Sequence, residues 1–230
     1  MATVTLQPSS SGCTIYNPAP TTNYNHANYD RLVIGESNTV TGATRWLLKF
    51  NGLSDGTIPT DAKITSAVLT LVATHDYSDN ARTCRVYRSK RAWVASQATW
   101  NIYATGSSWQ TAGGFGENDC EQTDIGSQSY TASESIPASK SYTLDNTAIR
   151  EIVAGIWANN GFLLKFDTEN NDAYEHATQT YATTSYRPKL VIEYTTGPPG
   201  VKTINGIDIG NVKTINGVAI ADVKSIQGIT

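Results

Sequence analysis

Charge is what this sequence has least of. Only 16% of its residues are charged, and 17 Lys and Arg against 20 Asp and Glu leave a formal net charge of −3. A polyanion meets no Coulomb attraction on such a chain, which argues against nucleic acid and anionic membrane as partners. Long apolar runs are missing as well: no stretch approaches the ~20 residues needed to span a bilayer. The first residues, Met1 to Gln7, form an alternating strand pattern with neither a basic segment nor an apolar run of signal length. That start predicts synthesis in the cytoplasm without export by the usual signal.

The usual signatures of chemistry are absent too. Cys13, Cys84 and Cys120 cannot all pair within one chain, and none lies close enough to another for a two-cysteine metal knuckle. One disulfide with a free thiol, or three reduced and buried thiols, both remain open. His26, His75 and His176 are isolated, without a chelating two-histidine spacing. Neither a Gly-x-Ser-x-Gly elbow nor a phosphate loop occurs. A carboxylate pair for glycoside hydrolysis would have to come from Asp76, Glu117, Asp119, Asp124 or Glu169, all in turn-rich stretches that read as solvated loops. The expectation is a protein that is not an enzyme and requires no cofactor. The acidic stretch from Glu117 to Asp124 is suited at most to a structural Ca2+, with Asp119 and Asp124 as oxygen ligands.

What is present points to β structure. Tyr and Trp, at 12 and 5, outnumber Phe and Met, at 4 and 1, and Thr, Ser, Asn and Gly are abundant. Short alternating or β-branched runs recur at Thr3–Leu6, Arg31–Ile34, Arg45–Phe50, Ile64–Val72, Thr83–Tyr87, Phe162–Phe166 and Leu190–Tyr194. Turn-rich segments such as Asn51-Gly52 and Gly113-Gly114 separate them, the cadence of an antiparallel sandwich. One segment has helical period: Ile149, Ile152, Val153, Ile156 and Trp157 fall on one face between Asp145 and Gly161. Trp157 is expected to be a packing anchor. The fold class is therefore all-β, a jelly-roll-like antiparallel β-sandwich with one short amphipathic helix, followed by a small C-terminal β-repeat tail.

The composition changes at Gly197-Pro198-Pro199-Gly200, which divides the chain into a sandwich (1–196), a hinge (197–200) and a tail (201–230). From Val201 the sequence repeats every eleven residues, with Val201, Ile204, Ile207 and Ile209 answered by Val212, Ile215, Val218 and Ile220, then by Val223, Ile226 and Ile229. Asn-Gly or Gln-Gly in every copy argues against helix. Each copy reads as a strand, a turn and a second strand. So small an array cannot bury its own apolar face, so these positions are expected to mediate oligomerisation, preferentially as a homotrimer, or docking to another protein.

A resemblance rests on several stretches taken in order. They are Tyr29 to Gly35, Arg45 to Phe50 leading to Leu53-Ser54, Ala62 to Leu71, Trp93 with Ala98-Thr99-Trp100-Asn101, Trp109 with Gly113-Gly114, Asn160 to Lys165, and Arg187 to Tyr194. Through them residues 24–194 resemble the DNRLRE domain family, disaggregatase-related β-sandwich modules grouped with carbohydrate-binding modules. The resemblance implies a jelly-roll-like sandwich without catalytic apparatus, attached to larger extracellular proteins and in some members binding polysaccharide. The tail is similar to the Asn-Gly repeats that end some tailed-phage virion proteins. For sugar stacking, Tyr77, Tyr103 and Trp109 are the candidate exposed aromatics. The functional expectation is a non-catalytic virion structural protein, capsid-decorating or fibre-like and facing outward at the virion surface. The alternative is a carbohydrate-binding module of an extracellular adhesin.

Overall fold

Alternation along a strand sends successive side chains to opposite faces, and in this chain it sorts residues between two apolar clusters. The computed structural model describes residues 1–8, 12–36, 42–196, 203–204, 207–208, 212, 214–215 and 218–219. In chain order the sandwich strands begin with β1 (Ala2–Leu6), β2 (Gly12–Tyr16), β3 (Tyr24–Asn25), β4 (Arg31–Glu36) and β5 (Thr44–Leu48). They continue with β6 (Lys63–Asp76), β7 (Arg82–Arg88), β8 (Ile102–Ala104), β9 (Ser107–Ser108), β10 (Gly126–Tyr130) and β11 (Ala138–Thr143). After the helix α1 (Asn146–Val153) come β12 (Phe162–Phe166), β13 (Asp172–Ala177) and β14 (Lys189–Thr195).

Twelve of these strands form an antiparallel sheet in the order β1-β14-β6-β13-β4-β5-β12-β7-β10, with β11 also on β6 and β2 joining β5 to β3, while β8 and β9 pair with each other in a separate two-stranded sheet. The 14-residue β6 bends this sheet around on itself. Its first part pairs β14, its middle also pairs β11, and its end passes to β13. A bulge at Glu175/His176 adds curvature where β6 passes to β13, and another at Glu193/Tyr194 does so near its start. The expected all-β sandwich is thus a curled, nearly continuous sheet closing over one main core.

On β5, Trp46 and Leu48 point into that core, while Leu47 points outward into a second cluster. Phe162, Leu164 and Phe166 of β12 face the core, and Leu163 faces out. All five residues of β12 are buried because a long excursion between β7 and β10 covers the outer face. Trp93, Trp100 and Trp109 of that excursion pack over Cys13, Ile15, Leu47 and Leu163. One polar group ties the excursion to itself and another fastens it to the sheet. Asp119, fully buried, accepts the backbone N–H groups of Gln110 at 2.8 Å, Thr111 at 2.9 Å and Gly116 at 3.3 Å. Arg45 grips Glu169 with two hydrogen bonds, donates to the Gly113 carbonyl at 2.8 Å, and lies 4.8 Å from the Trp100 ring centre.

The helix starts where the sequence predicts, with Asp145 accepting the N–H of Ala148 at 2.7 Å as its N-cap. It ends earlier. Gly155, at φ +73°, terminates it in the left-handed conformation. Ile156, placed by periodicity on the apolar face, is consequently 71% exposed. Trp157 still packs against the core and carries the Arg88 guanidinium 4.0 Å above its ring.

In the tail, β15 (Thr203–Ile204) pairs β16 (Ile207–Asp208), and β17 (Thr214–Ile215) pairs β18 (Val218–Ala219), both antiparallel. Ile204 pairs with Ile207 and Ile215 with Val218 in register, one antiparallel strand pair in each of the first two eleven-residue copies. Among the described residues the tail strands pair only within their own hairpins. Val212 and Ile215 are half-buried, and Val218 is 49% exposed. The hinge 197–200 and the predicted positions Val201, Ile209, Ile220, Val223, Ile226 and Ile229 lie outside the described residues.

Candidate functional site

Thr14 and Thr44 fall on the same strand face as Trp46, Thr14 paired with it across β2 and β5 and Thr44 two residues before it. There Thr14, Tyr16, Tyr24, Arg31, Thr44 and Glu175 line an open cleft of about 210 Å3, with Leu32 and Val33 contributing its apolar wall. Tyr16 and Tyr24 meet edge to face, with ring centres 5.9 Å apart and planes at 75°. Tyr24 in turn meets Tyr29 at 5.7 Å and 52°, and Tyr29 is 41% exposed. Burial, together with the neighbouring Tyr16 and Tyr29 phenols, raises the Tyr24 hydroxyl above its ordinary value. It therefore stays protonated at neutral pH, able to donate as well as accept.

Strand register supplies the polar side of the cleft. Val33 lies opposite Glu175 and Arg31 opposite Ala177, making Arg31 and Glu175 diagonal neighbours across β4 and β13. The Arg31 guanidinium sits 3.5 Å from Glu175 and 3.6 Å from Asp30, too far for short hydrogen bonds to consume its donors. Thr74 Oγ1 donates to Glu175 at 3.0 Å and orients it. On the other flank of β13, His75 lies opposite Glu175 and packs against Tyr77 at 4.2 Å. Burial and the Glu175 carboxylate push the Tyr77 phenol up.

Behind the cleft stands a buried aromatic pile. Thr14 Oγ1 contacts His26 Nε2 at 3.3 Å, and the Trp46 ring lies between His26 at 5.2 Å and His176 at 5.4 Å. His176 Nδ1 faces the Tyr174 carbonyl at 3.1 Å, which makes that nitrogen the donor. Nε2 then accepts the Tyr130 hydroxyl at 2.8 Å, and Tyr130 accepts from Tyr142 at 2.7 Å. Burial lowers both histidines to about 3, so both are neutral in this arrangement.

The structure redistributes the residues singled out from sequence. Tyr77 does not line the cleft; it packs on His75, the residue paired with Glu175. Nor does Trp109: it is 5% exposed, its indole N–H donates to the Thr99 carbonyl at 2.9 Å, and it belongs to the second cluster. Tyr103 is half-buried against Trp109 at 5.5 Å, with the Arg91 guanidinium 5.4 Å from its ring. Neither presents a free stacking face. The acidic loop is likewise a framework: Asp119 spends its oxygens on backbone N–H groups and Arg91, and Asp124 pairs with Arg85 at 3.2 Å. Among the described residues no group of three or more His, Cys, Asp or Glu is placed to hold a metal ion. Tyr16, Tyr24, Tyr29, Arg31 and Glu175 were not picked out in sequence. Their one visible signal was the density of Tyr and Asn between residues 16 and 29.

A second depression, lined by Glu121, Asp124, Asp145 and Glu151, is filled electrostatically by Arg88. Its guanidinium takes Glu121 at 2.7 and 3.0 Å and Glu151 at 2.5 Å, tying the helix to β7. The three thiols are free and buried, and burial raises all of them, Cys84 and Cys120 to about 12. No thiolate nucleophile is available from them at neutral pH.

The curled antiparallel sandwich, with an exposed aromatic depression and with its cysteines and two of its three histidines sealed inside, is an all-β domain. The chain belongs to the disaggregatase related repeat domain family, whose model matches residues 14–192. That membership suggests a carbohydrate-binding-like or surface domain. No curated protein matches the chain.

Proposed function

We propose that this chain is a non-catalytic attachment module. Its sandwich recognises polysaccharide through the tyrosine cleft, and its tail joins copies of itself, as a homotrimer, or docks to another virion protein at a virion surface. The observation that carries the recognition half is the meeting of Tyr16, Tyr24 and Tyr29 around the Arg31–Glu175 pair. Aromatic faces with charged donors and acceptors beside them are what a polyhydroxylated ring needs in water. The assembly half is supported by the repeated hairpins, whose two-stranded units are marginal alone and leave Val218 exposed. Many copies on one particle would turn weak single-site binding into strong attachment.

The test compares the full chain with a version ending at Thr196, in which every sandwich strand pairing is retained. Light scattering should give a trimer for the full chain and a monomer for the shortened one, with tighter retention of the full chain on immobilised polysaccharide. Equal masses for the two proteins would remove the tail from self-assembly. Unchanged retention of Tyr24→Ala would remove the cleft from recognition.

A further inference from the structure

We propose that the free edge of β1 is a receiving site for the tail of a second copy of this chain, taken up as an added strand; this rests on the reading that the tail mediates assembly. β1 is a terminal strand of the sheet and pairs with β14. The other terminal strand, β10, is flanked by β11: Lys140 of β11 donates to the Ser129 carbonyl at 3.2 Å, and the Tyr130 and Tyr142 hydroxyls meet at 2.7 Å. β3, at two residues, offers no ladder. Among the described residues, β1 therefore carries the longest uncovered edge of the sheet. An edge strand turns every second residue's N–H and C=O outward, and proteins blunt such rows with lysine, proline or a bulge. Ala2–Leu6 has none of these. It is uncharged, and its register with β14 runs unbroken from Ala2 opposite Tyr194 to Leu6 opposite Leu190.

Place, pattern and mutual need name the occupant. β14 leads into the hinge and tail, and Tyr194 near its end lies opposite Ala2, so the tail leaves the sandwich beside this edge. Along β1, Thr3 and Thr5 are exposed while Val4 and Leu6 pack toward the core. β17 alternates in the same phase, with Thr214 exposed and Ile215 half-buried. Laid antiparallel with Thr214 opposite Thr5, β17 puts Ile215 opposite Val4. That gives a threonine pair outside and a β-branched pair inside, both favourable across strands. No charge on Ala2–Leu6, Thr214–Ile215 or Val218–Ala219 opposes the approach. Among the described residues β17 pairs only with β18, and an isolated two-stranded unit is marginal in water. Joined to β1 it becomes the margin of a large sheet, and two open edges vanish in one contact. Within one chain the described tail strands stay off β1, so the donor is a neighbour. Such donation runs head to tail, and a head-to-tail contact that closes gives a ring of copies.

The experiment pairs hydrogen exchange with cysteine cross-linking in the full chain. Against the version ending at Thr196, the assembled full chain should slow exchange in Thr3–Leu6 by about tenfold, with the amides of β10 unchanged. Thr214→Cys combined with Thr3→Cys, or with Thr5→Cys, is treated with oxidised glutathione. At least one of these pairs should form disulfides between chains, seen as multimers on denaturing, non-reducing gels. The native Cys13, Cys84 and Cys120 are buried and do not compete. Thr214→Cys with Ser127→Cys, on β10, is the control and should run as a single chain. Assembly without protection of Thr3–Leu6 would overturn β1 as the receiver and leave tail-driven assembly standing. Protection with neither β1 cysteine linked to the tail, or with disulfides closed inside single chains, would overturn the neighbour's tail as the occupant. Equal linking of the control pair would do the same. Equal masses for the full and shortened chains would overturn the assembly reading itself, and this site with it.

Discussion

Lowering the pH should unfold this sandwich through its two buried histidines before its carboxylates begin to matter. In the folded state His26 and His176 titrate at about 3, pushed down by burial, with the Lys140 ammonium adding to the effect at His176. In the unfolded chain both return to about 6.5. Between those values the unfolded state binds more protons, so stability is fully present above 6.5 and falls as pH drops toward 3. Each histidine accounts for about 2 kcal/mol lost between pH 8 and pH 5, and the pair for about 4. That is a large part of the ~5–15 kcal/mol typical of a domain. Carboxylates, with ordinary values near 4, contribute little in that window.

Guanidinium unfolding followed by tryptophan fluorescence at half-unit pH steps would read the effect directly, because Trp46 lies between the two rings. His176→Gln, whatever its own cost in stability, should halve the slope. Stability that changes by less than about 1 kcal/mol between pH 8 and 5 would show that the histidines are not sealed in neutral form.

Two further outcomes separate framework from recognition. Trp109→Ala should cost about 3–5 kcal/mol, as for other buried aromatics, while the folded fraction keeps its polysaccharide retention. Lost retention at full stability would instead return Trp109 to the binding surface. Asp119→Ala should strip the charged acceptor from three backbone N–H groups, the one of Gly116 buried, at a cost of about 3 kcal/mol. Limited proteolysis would then cut first between Thr105 and Asp119; an unchanged cleavage pattern would show that Arg45 alone holds the excursion.

The strands were legible because most are half-buried in period two, and the family resemblance because it rides on those same strands. Where a strand is buried on both faces the period vanishes: in Phe162–Phe166 every residue is covered, Lys165 included, so composition carries the signal and facing does not. Trp109 misled because its Gly- and Ser-rich neighbourhood looks solvated, although that neighbourhood folds flat against the outer sheet. The helix ran on in the sequence pattern because Ile156 and Trp157 keep the spacing past Gly155, whose φ of +73° stops the backbone regardless. The cleft was hidden for a different reason. Thr14, Thr44 and Glu175 meet only through the pairing of β2 with β5 and of β4 with β13, contacts that no local window contains.

The excursion over the outer face begins and ends at one place. Ser89 bridges Cys120, and the N–H of Glu121 returns to the Arg88 carbonyl at 2.9 Å, so the intervening chain departs and rejoins the sheet side by side. Its outermost turn holds Gly106, in the left-handed conformation with open space around it. Such a flap can be opened at its tip without disturbing the strand ladder beneath. A peptide, dye or second domain grafted at Gly106 would therefore be carried on the excursion that covers the outer face. Cargo could then be exchanged at one exposed turn without touching the strand pairings that hold the sandwich together.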